Sequence, residues 1–374
     1  MNHYEWIGKL MSAMKTGFMA CSLACRLLGL AVVILALGCE FTSTTSRTSS
    51  PPIAKANESN PPSSLSPAVG TLKNRTFDFT YSVRLTGLGE NRSASIWIPI
   101  PTSNEFQTVQ QLSELLPAAD ELQHERTAHC IILFLRANSH ANDQLAIKLV
   151  YRITRREACE MPPARDDTKN DSAYLMADKL VPIGGKPMKL LAGVALGADS
   201  YAQARTLYDV VDDHMKYRKD KPGWGRGDAA WACESGFGNC TDFHSLFISL
   251  ARSNHLPAKF EIGFGIPEAR GSGIVPGYHC WAWVKPAGHG WVPVDISEAS
   301  KHPDRRDYFF GHLCENRVQF SSGRDLVLSP PQNGPPLNFF VYPYVEVDGR
   351  AWPPGKMITS FTYADVPVDS PSRR

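Results

Sequence analysis

The 374-residue chain has no surplus of charge: 39 Lys and Arg face 37 Asp and Glu, a formal net charge of +2. Without a basic excess or an aromatic–basic stripe, there is no electrostatic case for a nucleic-acid partner or an anionic membrane surface. No internal repeat is visible. The chain also lacks any tight Cys-x-x-Cys or His-x-x-x-His pair. Cys233, Cys240, His279, Cys280 and His289 are zinc-ligating types, but their spacing is not that of a zinc site, so neither a metal nor a cofactor is expected. The apolar run from Leu27 to Leu37 is short of the ~20 residues that a membrane-spanning helix needs.

Hydrophobic residues make up 43% of the chain. That is an ordinary globular share, and the length suggests roughly two domains. The first 39 residues read as a leader: Lys9, Lys15 and Arg26 precede the apolar run, which ends in Ala36-Leu37-Gly38-Cys39. A positive region, a short apolar region and small residues before a cysteine form an export signal with a lipobox-like end. The expectation is an exported, membrane-anchored bacterial lipoprotein carrying its lipid on Cys39, with a plain secretory signal or an uncleaved anchor helix as the alternatives. Residues 40–70 are rich in Ser, Thr and Pro and are expected to be a disordered tether. Beyond the leader six cysteines remain: Cys130, Cys159, Cys233, Cys240, Cys280 and Cys314. An oxidising compartment would let some of them pair, in a connectivity that spacing does not assign.

From 71 to 159 the pattern is β. Phe77, Phe79, Tyr81, Val83 and Leu85 alternate, and so do Leu145, Ile147, Leu149, Tyr151 and Ile153. Short strands with turn signals between them predict a small antiparallel sandwich. Residues 160–200 form a connector. Periodicity then changes: Ala204, Leu207, Tyr208, Val211 and Met215 share one helix face. "KPGWGRGDAAWACESGFGN" reads as a Gly-rich loop, and a second helix runs from about Thr241 to Ser253 before Pro257. The segments "AKFEIGFG", "CWAWVKP" and "WVPVDIS" predict an antiparallel sheet. The fold class is α+β, with a catalytic domain over 201–355 and a tail over 356–374.

Cys240 follows Gly238-Asn239 at the start of the second helix. Free backbone N–H groups and the helix dipole there favour a thiolate, and the same amides can hold an oxyanion. A thiol nucleophile needs a base, and the base needs an orienting group. "GYHCWAWV" offers His279 at the start of one strand, and "WVPVDIS" offers Asp295 inside the next. Each residue alone reads most simply as structural. The order Cys, His, Asp on a helix, a strand and the neighbouring strand is what points to catalysis. His244, four residues after Cys240, shares its helix face and has either a packing or a hydrogen-bonding role. Trp281, Trp283 and Trp291 read as core.

"GNCTDFHSLFISLARSNHLPAKFEIGF", "GYHCWAWV" and "WVPVDISEA" resemble the core of the transglutaminase-like superfamily, over roughly Tyr201 to Leu328. The resemblance implies a papain-like core: a helix bearing the cysteine, packed on an antiparallel sheet, here preceded by a small β-sandwich-like domain. It implies Cys240 as nucleophile, His279 as general base and Asp295 as orienting residue. It also implies acyl transfer on amide bonds of a peptide or protein substrate through a thioester. Dedicated cross-linkers of this superfamily carry extra domains and calcium sites, and neither pattern is present, so hydrolysis is the preferred outcome. The alternative is a non-catalytic peptide- or cell-wall-binding module. Many members complete the oxyanion hole with a tryptophan well upstream of the cysteine, whereas Trp224 and Trp231 lie close to it.

Overall fold

Residues 72–139, 144–162 and 167–367 are described by the computed structural model. The expected leader with Cys39 and the tether over 40–70 lie outside them. Six strands come first: β1 (Asn74–Thr86), β2 (Ser93–Ile100), β3 (Gln107–Leu115), β4 (Glu121–Arg126), β5 (Ile131–Asn138) and β6 (Gln144–Arg156). Helices α1 (Ser200–His214), α2 (Ala229–Ser235) and α3 (Cys240–Ser253) follow. Next come strands β7 (Ala258–Gly265), β8 (Ser272–Ile274), β9 (Tyr278–Val284) and β10 (Val292–Val294), the short helix α4 (Ile296–Lys301) and β11 (Arg317–Ser322). The chain closes with β12 (Tyr344–Val347), β13 (Arg350–Ala351) and β14 (Met357–Asp365).

Two five-stranded sheets make the sandwich, ordered β8-β14-β1-β6-β3 and β13-β12-β2-β5-β4. Its core is the period-two pattern made physical. Phe77, Phe79, Tyr81, Val83 and Leu85 of β1 are buried beside Leu145, Ile147, Leu149, Tyr151 and Ile153 of β6, with Phe79 opposite Tyr151. A third, four-stranded antiparallel sheet, β10-β9-β7-β11, carries α3 on one face. This is the α+β arrangement expected.

The segment expected as a tail is a strand: β14 pairs with β1 from Phe77↔Asp365 to Leu85↔Met357. Likewise β12, expected inside the catalytic domain, pairs with β2. The sandwich is therefore closed by the end of the chain. Along β14 only Phe361 and Tyr363 are buried, too few apolar positions to announce a strand. Arg75 ties the two ends together, donating from Nε to Asp365 Oδ1 at 2.8 Å. An aromatic cluster joins the sandwich to the third sheet, with Phe264 of β7 lying 5.2 Å from Phe79 and 4.4 Å from Phe361 between ring centroids.

The Gly-rich loop also differs from expectation, because it contains α2. Asp228 caps that helix by accepting from Trp231 N, and left-handed Gly236 ends it. Helix α3 is buried from Cys240 to Arg252, on every side. Its polar members are bonded: Ser245 Oγ accepts from Arg324 Nη1 at 2.6 Å, and Arg252 Nη1 donates to Asp178 Oδ2 at 2.7 Å. The helix ends where expected, with Asn254 as C-cap and His255 in the left-handed region at φ 61°.

Candidate active site

The start of α3 is held by reciprocal capping. Asn239 Oδ1 accepts from Thr241 N at 3.0 Å, and Asp242 Oδ2 accepts from Asn239 N at 3.0 Å. Asp242 reaches further, accepting from Gly225 N at 2.6 Å and Gly227 N at 2.9 Å. One buried carboxylate thus pins the Gly-rich loop onto the helix start. Gly238 is required there, since a Cβ would sit 2.5 Å from the Asp242 carboxylate. Burial pushes Asp242 up to about 6, against the pull of its three backbone N–H partners. Asp242 was not singled out from the sequence, although the Asn-x-x-Asp spacing of a capping box was its signal.

Cys240 is the first residue of α3 and is 2% exposed. As a first-turn residue its N–H has no partner within the helix. His279 lies on β9 and Asp295 directly follows β10, strands that pair through Ala282↔Val294. Asp295 was expected inside the strand but lies just beyond it, as the N-cap of α4, with Oδ1 accepting from Glu298 N at 3.1 Å. The strand stops there because the side chain satisfies a helix-start amide, a role that strand geometry does not allow. His279 Nε2 and Asp295 Oδ2 are 2.7 Å apart. Arg317 Nη1 donates to the same Oδ2 at 3.0 Å, and Ser297 Oγ donates to Oδ1 at 3.0 Å. A fully buried carboxylate is costly unless bonded, and this one has four partners.

The charges follow from that geometry. Burial alone would raise Asp295, but His279 and Arg317 hold it far below the usual carboxylate range. Burial would lower His279, but Asp295 and a hydrogen bond and charge from Cys240 lift it to about 10. With Nε2 committed to Asp295, Nδ1 is the atom left for Cys240. Burial would raise the Cys240 thiol, but hydrogen bonds with Cys280 and His279 and the His279 charge bring it well below its ordinary value. The pair is favoured as thiolate and imidazolium.

His244 makes hydrogen bonds to this site as well as packing. Its Nε2 accepts from Ile296 N at 3.1 Å, so Nδ1 carries the proton and faces Cys280 Sγ at 3.6 Å. Burial pushes its pKa down to about 4, leaving it neutral. It ties the Cys240 helix to the residue after Asp295. Three tyrosines were not legible from sequence. Asn239 Nδ2 donates to Tyr278 Oη at 2.7 Å, and Tyr342 Oη accepts from Tyr278 N at 3.2 Å. Tyr217 is raised by burial first and then by the nearby Cys240 charge. Trp281, Trp283 and Trp291 are core, at 0%, 2% and 7% exposure. Among the described residues neither Trp224 nor Trp231 bonds to Cys240, His279 or Asp295; the Trp231 ring packs against Gly223. Of the zinc-type residues, Cys240, His279 and Cys280 lie together in this site, whereas Cys233 Sγ donates to Lys186 O at 3.4 Å and His289 pairs with Glu160 at 2.9 Å. Cys130, Cys159, Cys233, Cys240, Cys280 and Cys314 are all free thiols.

Residues 189–296 match the family model described as the Transglutaminase-like superfamily. An uncharacterized protein of Haemophilus influenzae is 27% identical over 319 residues, which cover 73% of this chain and 86% of that protein. The solved structure named "Putative Cysteine Protease from Cytophaga hutchinsonii" superposes with a TM-score of 0.53 at 15% identity, over 80% of this chain and 94% of that one. At that identity the likeness speaks to the fold alone, and the fold it shares is this one.

Proposed function

Since this chain belongs, through its core over residues 189–296, to the transglutaminase-like superfamily, we propose that it is a thiol-dependent acyl-transfer enzyme acting on amide bonds of peptides or proteins. The observation that carries the reading is the buried His279–Asp295 pair at 2.7 Å beside a helix-start thiol brought well below its ordinary pKa. In the mechanism, the Cys240 thiolate attacks the amide carbonyl carbon. The resulting oxyanion is met by the free N–H at the start of α3. Collapse breaks the C–N bond, and His279 gives its proton to the departing amine, leaving a thioester on Cys240. His279 then takes a proton from water, whose oxygen attacks the thioester carbon. The products are a carboxylic acid and the regenerated Cys240–His279 pair. Asp295 holds the imidazole orientation throughout, and Arg317 holds Asp295.

Hydrolysis is preferred to cross-linking because the sequence carries no calcium-type loop. The second reading, a non-catalytic binding module, is weakened by the presence of all three residues in bonding order. The leader and Cys39 support export and a lipid anchor. Among the described residues no helix is long and apolar enough to cross a membrane.

Iodoacetamide labelling across pH, located by peptide mass mapping, tests the proposal. Labelling concentrated on Cys240 below pH 7, and slowed by His279→Ala, is the expected result. Labelling of Cys240 no faster than the other free thiols, indifferent to His279→Ala, would sink the enzyme reading and favour the binding module.

A further inference from the structure

Two consecutive residues of β9, His279 and Cys280, both reach the Cys240 sulfur. Successive side chains leave a strand on opposite faces, so the two approach that sulfur from different sides. His279 has its role in the chemistry already described. Cys280 has none there. It is fully buried, it is a free thiol, and its sulfur lies 3.6 Å from His244 Nδ1.

The donors present fix the direction of each hydrogen bond around Cys280. A backbone N–H only donates, so His244 Nε2, 3.1 Å from Ile296 N, is an accepting nitrogen. Nε2 lies 3.7 Å from Asp295 Oδ1, too far to be donating there instead. A neutral imidazole with an accepting Nε2 carries its proton on Nδ1. That N–H faces the Cys240 carbonyl and the Cys280 sulfur. Cys280 therefore cannot give its own proton to His244. Burial, and then the hydrogen bond and charge of Cys240, hold Cys280 well above the usual thiol range, so the proton stays on its sulfur. The acceptor it meets is Cys240. The other titratable or charged groups facing the pair are Tyr217, Tyr342 and Asp242 towards Cys240, and Asp295 and Arg324 towards Cys280.

Two chains of hydrogen bonds thus leave neighbouring residues at the start of α4 and end on one sulfur. Asp295 reaches Cys240 through His279, and Ile296 N reaches it through His244 and Cys280. We propose that Cys280 is a second positioning residue for the Cys240 nucleophile, donating its S–H to the Cys240 sulfur in a direction set by the His244 imidazole. This role rests on the reading of Cys240 as a nucleophile. The donor is neutral, so it steadies the thiolate without adding charge to a buried site.

The test is the pH profile of iodoacetamide labelling at Cys240, located by peptide mass mapping, in wild type, Cys280→Ala and Cys280→Ser. Loss of a weak donor to a charged acceptor should raise the pH of half-maximal rate by about one unit in Cys280→Ala. Cys280→Ser keeps a donor at the same place and should restore most of that shift. A thiol that merely fills space predicts the opposite order, with Ala tolerated and Ser not. Equal profiles for wild type and Cys280→Ala, or a shift in Cys280→Ser as large as in Cys280→Ala, would overturn the proposal. A second measurement needs only the wild type: nitrogen NMR of His244 at pH 7 should show a neutral ring protonated at Nδ1. A ring protonated at Nε2, or a charged one, would overturn the proposal too. Slow labelling of wild-type Cys240 would remove the enzyme reading and this role with it. A fast wild type with an unshifted Cys280→Ala would remove this role alone.

Discussion

In the sandwich, β1 and β6 bury Phe77, Phe79, Leu85, Ile147, Leu149 and Ile153; around α3 the buried residues include Asp242, His244, Ser245, Ser249, Asp295 and Arg317. Both sets are almost wholly removed from water, but different forces hold them. The first is stabilised by apolar area and shape, which tolerate small volume changes. The second is stabilised by direct bonds, each of which, if broken, leaves a charged or polar group stranded. The contrast indicates where the molecule is committed to one geometry. A sandwich side chain can be trimmed at modest cost, whereas a member of the network beneath Cys240 has partners on several elements at once. Asp242 joins a helix to a loop, His244 joins α3 to α4, and Arg317 joins β11 to Asp295.

Asp295→Asn should sharpen this contrast most. Removing an opposite charge shifts a neighbouring pKa by about one to three units, so the His279 titration followed by NMR should fall from about 10 to about 7–9. Asp242→Ala comes next: three backbone N–H groups lose their acceptor, and denaturant unfolding should show a loss of roughly 2–3 kcal/mol.

The pH dependence of stability is a subtler probe. His279 is raised to about 10 in the folded chain, so its contribution is complete below its unfolded value of about 6.5 and is lost as pH rises through 10. Cys240 is lowered, so its contribution is complete above its unfolded value of about 8.5 and is lost as pH falls through its folded value. Between about 6.5 and 8.5 the folded pair and the unfolded groups hold the same single proton, and the two slopes cancel. The guanidinium midpoint of the wild type should therefore be flat over that window and fall above it. In Cys240→Ala the fall should begin near pH 6.5. Identical profiles for the two proteins would break the ion-pair assignment.

The smallest effect belongs to the sandwich. Ile147→Val removes one buried methylene and should cost about 1 kcal/mol. The Cys240 labelling rate of the folded protein should not change. A change in that rate would mean that the two layers are coupled more tightly than their bonding suggests.

What could be read from sequence was local. Residues two apart in β1 and β6 face one side of a strand, and residues three and four apart in α1 and α3 face one side of a helix, so alternation and helical spacing named the core. Cys240, His279 and Asp295 were legible because their residue types carry chemistry and the elements around them are short and ordered. Asp242 was within reach through its capping spacing. Arg317, Tyr217 and Tyr342 carried no such signal, since their meaning comes only from what lies beside them. The same holds for β14, whose partner β1 begins 283 residues earlier, at Asn74 against Met357, and for the Cys280 thiol beside Cys240. The sequence by itself determined β1, β6, α1, α3 and the order of the reactive residues, because those depend on periodicity and side-chain chemistry over a few residues. Only the tertiary structure decided which strand closes the sandwich, which cation steadies Asp295 and which thiol faces Cys240. Those outcomes depend on how distant segments share one interior, where water is excluded and every polar group needs a partner.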